Sequence, residues 1–295
     1  MELDAVKEAL LDEVLADYAG RLGQDPAEQN SAVTLVYTHG VHRLWRSVLR
    51  MLPIAADWSV LDVGCGLGIL CFELAANLPV TVEGVDIEPA FVGHANQLRA
   101  RLGQRGLLAA GSAVRFTEGD IGNLAGPDDS VDLVFVRELL QFLPDPVAAL
   151  GEVKRVLKPG GYACVSDTDD QLYLTWPPAS EAQTRLVEAV TQLHRQRGGD
   201  RHTGRKLSTH LAGAGFEVDS IVVLPEAQHR TVDAEDRERV VILEQLRAAR
   251  GRVVEAGVMT AADFDADLAE LEGQPGRVEF RMNASIVVLG RKPPA

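Results

Sequence analysis

A glycine-rich turn is the part of the sequence whose residue types and spacing point most directly to ligand binding. Residues 60–63 are typical of a short buried strand, and Gly64, Gly66 and Gly68 follow them directly. Glycine lets the backbone bend sharply and approach a ligand closely, and the free amides at a helix start attract negative charge. A dinucleotide site requires G-x-G-x-x-G, which would place glycine at position 69, where this chain has Ile69. The spacing therefore departs from that of a dinucleotide site.

Three aspartates stand at or near the ends of successive predicted strands. Asp62, two residues before the first glycine, is suited to bind a ligand ammonium group. Asp86 follows the glycine turn by about 20 residues, where an acidic side chain can accept hydrogen bonds from both hydroxyls of a ribose. Asp120 is expected to end the third strand, again at the carboxyl edge of the sheet. Helix capping and strand-end polarity explain any one of them but explain all three together poorly, so we expect them to converge on one crevice.

The elements that would position these residues alternate between short strands and helical segments. The β-branched runs that predict buried strands are Ser59–Val63, Val80–Val85, Ala113–Thr117, Val131–Val136 and Tyr162–Ser166. The helical patterns among them are Leu67–Asn77, Pro89–Leu102 and Pro146–Leu157. This alternation predicts parallel β-α-β units with right-handed crossovers. The expected fold class is α/β, a three-layer Rossmann-like domain with a mostly parallel sheet.

Segments on either side of this core are predicted to be mainly helical. The N-terminal helices are expected within residues 1–18 and Val41–Leu52, and the later helical segments are Ala179–Arg197 and Ala234–Glu272. Two further strand-like runs, Glu217–Leu224 and Ser285–Leu289, would extend the sheet. The predicted division is therefore an N-terminal helical segment (1–52), a core (53–170) and a C-terminal part of the core with helical insertions (171–295).

The two insertions, at about 172–202 and 226–275, are too long for simple connections and too apolar for linkers. We expect them to cap the carboxyl edge of the sheet, where open α/β sheets bind ligands. The alternative is that they pack on the core or form the face of a homodimer.

Composition excludes several classes of function. A formal charge of −14 argues against a nucleic-acid binder and against an anionic membrane surface as partner, because both require a basic surface. No apolar run approaches the roughly 20 residues of a membrane span, and the acidic N-terminus differs from a signal peptide. We therefore expect a cytoplasmic location. Three cysteines, without paired spacing, predict reduced, packed thiols and no metal site.

Three further motifs follow the glycine turn in order along the chain: residues 132–137, 140–145 and 156–161. These motifs resemble the fourth strand, the following loop and the start of the fifth strand in class I S-adenosyl-L-methionine-dependent methyltransferases. The glycine turn and Asp86 resemble the preceding part of the same family. The resemblance covers roughly residues 40 to 170. It implies S-adenosyl-L-methionine as cofactor, S-adenosyl-L-homocysteine as product, and a seven-stranded sheet whose last strand is antiparallel.

The resemblance also implies cofactor-binding residues. Asp62 and the backbone of Gly64, Cys65 and Gly66 would face the methionine part, with the backbone of Arg137 nearby. Asp86 would bind the ribose, Ile87 would lie on the adenine, and Asp120 with Ile121 would contact the adenine amine and ring. Tyr37 would lie in a segment across the mouth of the cofactor site.

Two subfamily resemblances point to different acceptors. Residues 38–46 are similar to a segment of quinone-biosynthesis C-methyltransferases, but nothing after Asp167 matches their C-terminal pattern. Residues 204–207, 214–216 and 256–272 look like those of bacterial small-molecule methyltransferases of specialised metabolism, which we prefer. The place after the fourth strand lacks the Asn or Asp followed by Pro-Pro-Tyr or Pro-Pro-Phe that enzymes methylating exocyclic base amines or glutamine amides share. It also lacks the cysteine nucleophile of RNA cytosine methyltransferases, and both absences argue against nucleic acid as the acceptor.

Two residues are candidates for a catalytic role. Methyl transfer from a sulfonium donor is an in-line displacement, so alignment and desolvation can carry most of the rate acceleration. A general base is needed only where the acceptor must lose a proton. His39, in the segment expected across the cofactor site, is the first candidate, and Asp167 is either a base or a cap.

We therefore expect an enzyme that methylates an oxygen, nitrogen or carbon of a small, partly apolar metabolite. One alternative is a quinone-type C-methyltransferase. The other is a protein that binds the cofactor without transferring its methyl group, because the glycine turn and Asp86 indicate binding only.

Overall fold

The computed structural model describes residues 5–25, 45–233 and 236–294. An eight-stranded sheet forms its centre, and the strands lie in the order β3-β2-β1-β4-β5-β8-β6, with β7 paired to β8. The strands are β1 (Ser59–Val63), β2 (Thr81–Asp86), β3 (Ala113–Glu118), β4 (Val131–Arg137), β5 (Leu157–Thr168), β6 (Leu174–Trp176), β7 (Glu217–Val232) and β8 (Arg277–Arg291). Strands β1 to β5 are parallel, and β8 is antiparallel to β5.

Helices cover both faces of this sheet, which confirms the predicted three-layer α/β fold. They are α1 (Ala5–Leu22), α2 (45–51), α3 (Ile69–Asn77), α4 (Pro89–Gln104), α5 (Pro146–Val156), α6 (Glu181–Gln196), α7 (Leu207–Gly213), α8 (Arg237–Glu255) and α9 (Ala261–Glu272). One apolar cluster lies between the sheet and α1 to α4. A second lies between the opposite face and α5 and α7.

The predicted count of seven strands is wrong, since the described residues form eight. The additional strand, β6, has only three residues and shows no readable period. Strands β7 and β8 are also longer than expected. Thr168, the last residue of β5, pairs with Ser285, and β8 extends past this point to pair with β6 through Phe280 and Met282. A three-stranded extension, β6-β8-β7, therefore projects beyond the carboxyl edge of the parallel strands.

Helices α8 and α9 form the connection between the end of β7 and the start of β8. These two strand ends are adjacent, because Val232 pairs with Arg277. They pack with α6 around a separate apolar cluster that includes Leu186, Leu246 and Phe264. We call α6, α8 and α9 the cap helices. Residues 226–232, expected within the second insertion, instead belong to β7.

The N-terminal helices are joined to the core by a buried cation. Arg46 of α2 donates hydrogen bonds to Glu73 of α3, at 3.1 and 3.2 Å, and to Asp12 of α1, at 2.8 and 3.3 Å. Its neighbour Trp45 is buried against Phe135 of β4. Three elements that are distant in the sequence are thereby held beside the carboxyl ends of β1 and β4.

Strand β7 lies at an edge of the sheet, because β8 is its only partner among the described strands. Ile221 and Val223 are largely exposed on it, and Pro225 lies near its middle, opposite Ala284. In the described part of the chain, no helix combines the length and apolar character needed to cross a bilayer.

Candidate cofactor and acceptor site

The glycine turn takes the conformation that its composition predicts. Gly64, Gly66 and Gly68 all have positive φ, at 71°, 54° and 82°, a region that L side chains rarely occupy. A Cβ on Gly68 would lie 2.5 Å from the ring of Phe116, whereas one on Gly66 would meet nothing within 4 Å. The close packing at Gly68 sets the start of α3, and the open space at Gly66 leaves room for a ligand against the backbone.

Asp86, the last residue of β2, folds towards this turn. Its Oδ2 accepts a hydrogen bond from the amide of Gly66 at 2.7 Å, and its Oδ1 accepts one from Glu88 at 3.0 Å. Ile87 follows it with 71% of its surface exposed, which is unusual for a large apolar side chain at the end of a buried strand. A carboxylate and an apolar surface thus adjoin the glycine turn.

Asp120, the third expected carboxylate, lies in the turn after β3 and not at the glycine turn. Asp120 is exposed, and its Oδ1 accepts a hydrogen bond from the amide of Gly122 at 2.8 Å in a tight turn after β3. Ile121 is buried. The structure therefore brings Asp62 and Asp86 to the glycine turn, whereas Asp120 lies at the neighbouring strand end.

Asp62 is fully buried beside Arg137, at the carboxyl ends of β1 and β4. Its Oδ2 lies 3.6 Å from Nη2 of Arg137 and accepts a hydrogen bond from the thiol of Cys71. Burial raises the pKa of Asp62, and the charge of Arg137 opposes that rise. The guanidinium of Arg137 lies over the ring of Trp45, 5.2 Å from its centroid. Sequence reasoning gave Arg137 only a backbone role and missed this side-chain contact.

The three cysteines are free and buried, as expected from their apolar surroundings. Burial raises the pKa of the Cys65 thiol, and the neighbouring carboxylates of Asp62 and Asp86 raise it further. Cys65 therefore packs as a neutral thiol beside the turn. Among the residues that the structure describes, no group of three histidine, cysteine, aspartate or glutamate side chains is arranged to hold a metal ion.

A second polar cluster lies beside the first, at the carboxyl ends of β4 and β5. Glu138 has φ of 52°, a strained value for a residue other than glycine. Its Oε2 accepts a hydrogen bond from Gln141 at 3.2 Å, and the Oε1 of Gln141 accepts one from Arg201 at 2.8 Å. Arg201 also forms an ion pair with Asp170 at 2.7 Å. These four side chains form the polar network of this site.

Burial raises the pKa of Glu138, although the charges of Arg201 and Arg137 oppose the rise. This network could not be predicted from the sequence. Glu138 directly follows the motif at 132–137. Its positive φ could not be predicted, because glutamate is not a residue type that favours this conformation. Arg201 contacts Gln141 across 60 positions of the chain, and no spacing reveals this.

Asp167, the candidate base or cap, lies behind this network and is fully buried. Its two carboxylate oxygens accept hydrogen bonds from the amides of Gln141 and Thr168, at 3.0 and 2.9 Å. Burial and the charge of Glu138 raise its pKa to about 8. These contacts favour the capping role, since both oxygens hold backbone amides. The other catalytic candidate, His39, and the cofactor candidate Tyr37 lie outside the described residues.

A family model described as a methyltransferase domain matches residues 54–215, more than half of the chain. The chain belongs to the class I S-adenosyl-L-methionine-dependent methyltransferases. Its cofactor is therefore S-adenosyl-L-methionine, as the resemblance to this family implied.

Individual relatives of this methyltransferase differ in how much of it they match. An uncharacterized 37.1 kDa transposon protein of Streptomyces fradiae is 30% identical over 254 residues, which cover 84% of this chain and 68% of that protein. The 27-O-demethylrifamycin SV methyltransferase of Amycolatopsis mediterranei is 32% identical over 150 residues, covering 50% of this chain and 51% of that protein. The chain thus spans about half the length of the rifamycin enzyme.

The solved structure of the cyclase SpnF has the same fold as this methyltransferase. The two chains superpose with a TM-score of 0.53 at 21% identity, over 86% of this chain and 82% of the cyclase. At this identity the likeness concerns the fold alone.

Proposed function

We propose that this methyltransferase transfers a methyl group to an oxygen, nitrogen or carbon of a small metabolite, in specialised biosynthesis. The observation that carries the proposal is the adjacency of the glycine turn to the polar network of Glu138 and Gln141. The cap helices project past the same carboxyl edge, which is where open α/β sheets bind ligands. The relative that acts on 27-O-demethylrifamycin SV supports a metabolite of the natural-product class.

The described residues fit the cofactor. In the part of the chain that the structure describes, one buried carboxylate oxygen of Asp62 has no hydrogen bond, and Gly66 has open space where a Cβ would stand. In our assignment, Asp62 and the backbone of Gly64, Cys65 and Gly66 bind the methionine part, and Asp86 binds the ribose. Ile87, Asp120 and Ile121 are assigned to the adenine, with Tyr37 at the mouth of the site. The bound cofactor would supply a methyl group already activated on a sulfonium.

The chain's own contribution would then be to orient the acceptor, exclude water and receive a proton where one is lost. Glu138 suits the last role, because its carboxylate has a raised pKa and is held by Gln141. Gln141 and Arg201 would orient polar groups of the acceptor. His39 remains an alternative base, and Asp167 would position the loop that carries Gln141.

Incubation with methyl-labelled S-adenosyl-L-methionine and a panel of acceptors tests this function. The panel would contain phenols, amines, polyketide-like compounds and a prenylated aromatic ring, with mass spectrometry locating the label. We expect a labelled product and S-adenosyl-L-homocysteine from one of the first three classes. Labelling of a ring carbon in the prenylated compound would instead indicate a quinone-type C-methyltransferase. Tight cofactor binding without transfer to any acceptor would favour a non-methylating role. This outcome is included because a protein described as a cyclase, SpnF, has the same fold.

Removal of α8 and α9 tests whether the cap helices select the acceptor. Because Val232 and Arg277 are paired, Asp233 can be joined to Gly276 by a short turn in place of residues 234–275. Changing Leu186 and Leu193 of α6 to Gln would limit the apolar surface that the deletion exposes. We expect transfer to be lost while much of the S-adenosyl-L-homocysteine affinity is retained. Unchanged turnover and acceptor preference would show that these helices have no role in selection.

A further inference from the structure

Three polar side chains lie on one face of the sheet where the parallel strands end. Asp62 of β1 is paired with Phe135 of β4, and Arg137, two residues further along β4, is paired with Ser166 of β5. Side chains two residues apart on a strand point to the same face. Asp62, Arg137 and Ser166 therefore lie on the face that α1 to α3 cover, next to the glycine turn. We call them the polar row.

Within the described residues, each member of the polar row has a buried polar atom that makes no hydrogen bond: Oδ1 of Asp62, Nε of Arg137 and Oγ of Ser166. Folded proteins leave few buried polar atoms in this condition, because the desolvation cost is not recovered. On these adjacent strands, Oδ1 of Asp62 is an acceptor, Nε of Arg137 is a donor, and Oγ of Ser166 can act as either. A ligand with groups of both kinds can form hydrogen bonds with all three.

The guanidinium of Arg137 is held in place by its neighbours, but they do not accept hydrogen bonds from all of its N–H groups. The ring of Trp45 lies on one side of the guanidinium, and Nη2 is 3.6 Å from Oδ2 of Asp62, an ion-pair distance longer than a hydrogen bond. Trp45 is itself fixed, because it packs edge-on against Phe135. The cation is thus oriented in advance and retains unused capacity to donate hydrogen bonds.

We propose that Arg137 and Ser166 bind the α-carboxylate of S-adenosyl-L-methionine, while Asp62 binds its α-ammonium group. The cofactor's amino-acid end carries one charge of each sign, as the Asp62–Arg137 pair does. A planar guanidinium suits a carboxylate because it can donate two parallel hydrogen bonds. This inference rests on the cofactor assignment made above and adds to it a side-chain role for Arg137 and a role for Ser166.

Calorimetry with two ligands tests the proposal, because 5′-methylthioadenosine keeps the nucleoside of S-adenosyl-L-homocysteine and lacks its amino-acid end. Arg137→Gln should weaken S-adenosyl-L-homocysteine binding by about 10- to 100-fold, the equivalent of lost charge-assisted hydrogen bonds. Ser166→Ala should weaken it by roughly 2- to 10-fold, as for a neutral hydrogen bond. Both variants should bind 5′-methylthioadenosine within about twofold of the unaltered protein. Arg250→Gln, which breaks an exposed ion pair with Asp265, is the matched control and should change neither affinity.

Equal weakening of the two ligands would overturn the proposal, since it would mean that Arg137 only supports the shape of the turn. Unchanged affinity for S-adenosyl-L-homocysteine would overturn it as well. Failure of the unaltered protein to bind S-adenosyl-L-homocysteine would instead remove the cofactor assignment itself. Ser166→Ala, a small change at a buried site, keeps the test decisive if Arg137→Gln does not fold by circular dichroism.

Discussion

Replacement of Arg46 by Met should strongly destabilise the fold. Arg46 donates two hydrogen bonds to Glu73, a side chain with 0% exposed surface, and two more to Asp12. Met fills a similar volume but removes the cation. The carboxylate of Glu73 would then stay in the interior without the guanidinium that neutralises it.

The magnitude follows from the burial of the two partners. Two charge-assisted hydrogen bonds to Glu73, at about 1.5 to 3 kcal/mol each, set the upper range of the loss. Breaking a buried pair by removing one partner costs about 3 to 5 kcal/mol. Asp12 is partly exposed and can be hydrated, so its lost bonds add little. We therefore expect the free energy of unfolding to fall by about 3 to 5 kcal/mol.

Urea denaturation, followed by circular dichroism and tryptophan fluorescence, measures this change by linear extrapolation. Arg50→Met is the matched control, because Arg50 lies on the same helix and forms an exposed ion pair with Glu8 at 3.2 Å. Its loss should cost no more than about 1 kcal/mol. The double variant Arg46→Met/Glu73→Leu leaves no charge of the pair in the core, and should be more stable than Arg46→Met alone.

A loss in Arg46→Met no larger than that in Arg50→Met would refute the reasoning. So would a double variant less stable than the single one. Either result would mean that the attachment of α1 and α2 depends on apolar packing rather than on the buried cation.

Three further predictions concern the site. Asp86→Ala should weaken S-adenosyl-L-homocysteine binding by about 1 to 3 kcal/mol in calorimetry, and unchanged affinity would remove the ribose assignment. Because burial raises the pKa of Asp167 to about 8, its carboxyl group contributes stability below about pH 4 that is lost as the pH rises towards 8. Urea titrations should therefore show the unaltered protein losing stability relative to Asp167→Asn over that range, whereas a pH-independent difference would contradict the shift. Exhaustive chelation should leave methyl transfer intact, and activity restored only by magnesium would count against a metal-free reaction.

The cofactor half of the site could be predicted because its signals are local. The strand, the glycine turn and the helix follow one another within residues 59–77, and Asp86 ends the next strand. The first four strands were predicted to within one residue at each end, since buried parallel strands are short and rich in β-branched residues.

The acceptor half could not be predicted in the same way. Glu138, Gln141 and Arg201 are brought together by loops that are distant in the chain, and a polar residue in a loop carries no period. The second half of β7 was missed for a related reason. Its half-buried positions include Glu226, Gln228 and Arg230, so polar residues occupy the face where a strand pattern requires apolar ones.

Pro225 affects the association of this protein with other copies through the edge of its sheet. A sixteen-residue strand with exposed Ile221 and Val223 at the edge of a sheet is a template for adding a further strand, the first step of aggregation. Proline has no N–H to donate, so a ladder growing along this edge is interrupted near its middle. The enzyme can therefore keep a long edge strand to support its cap while discouraging edge-to-edge assembly.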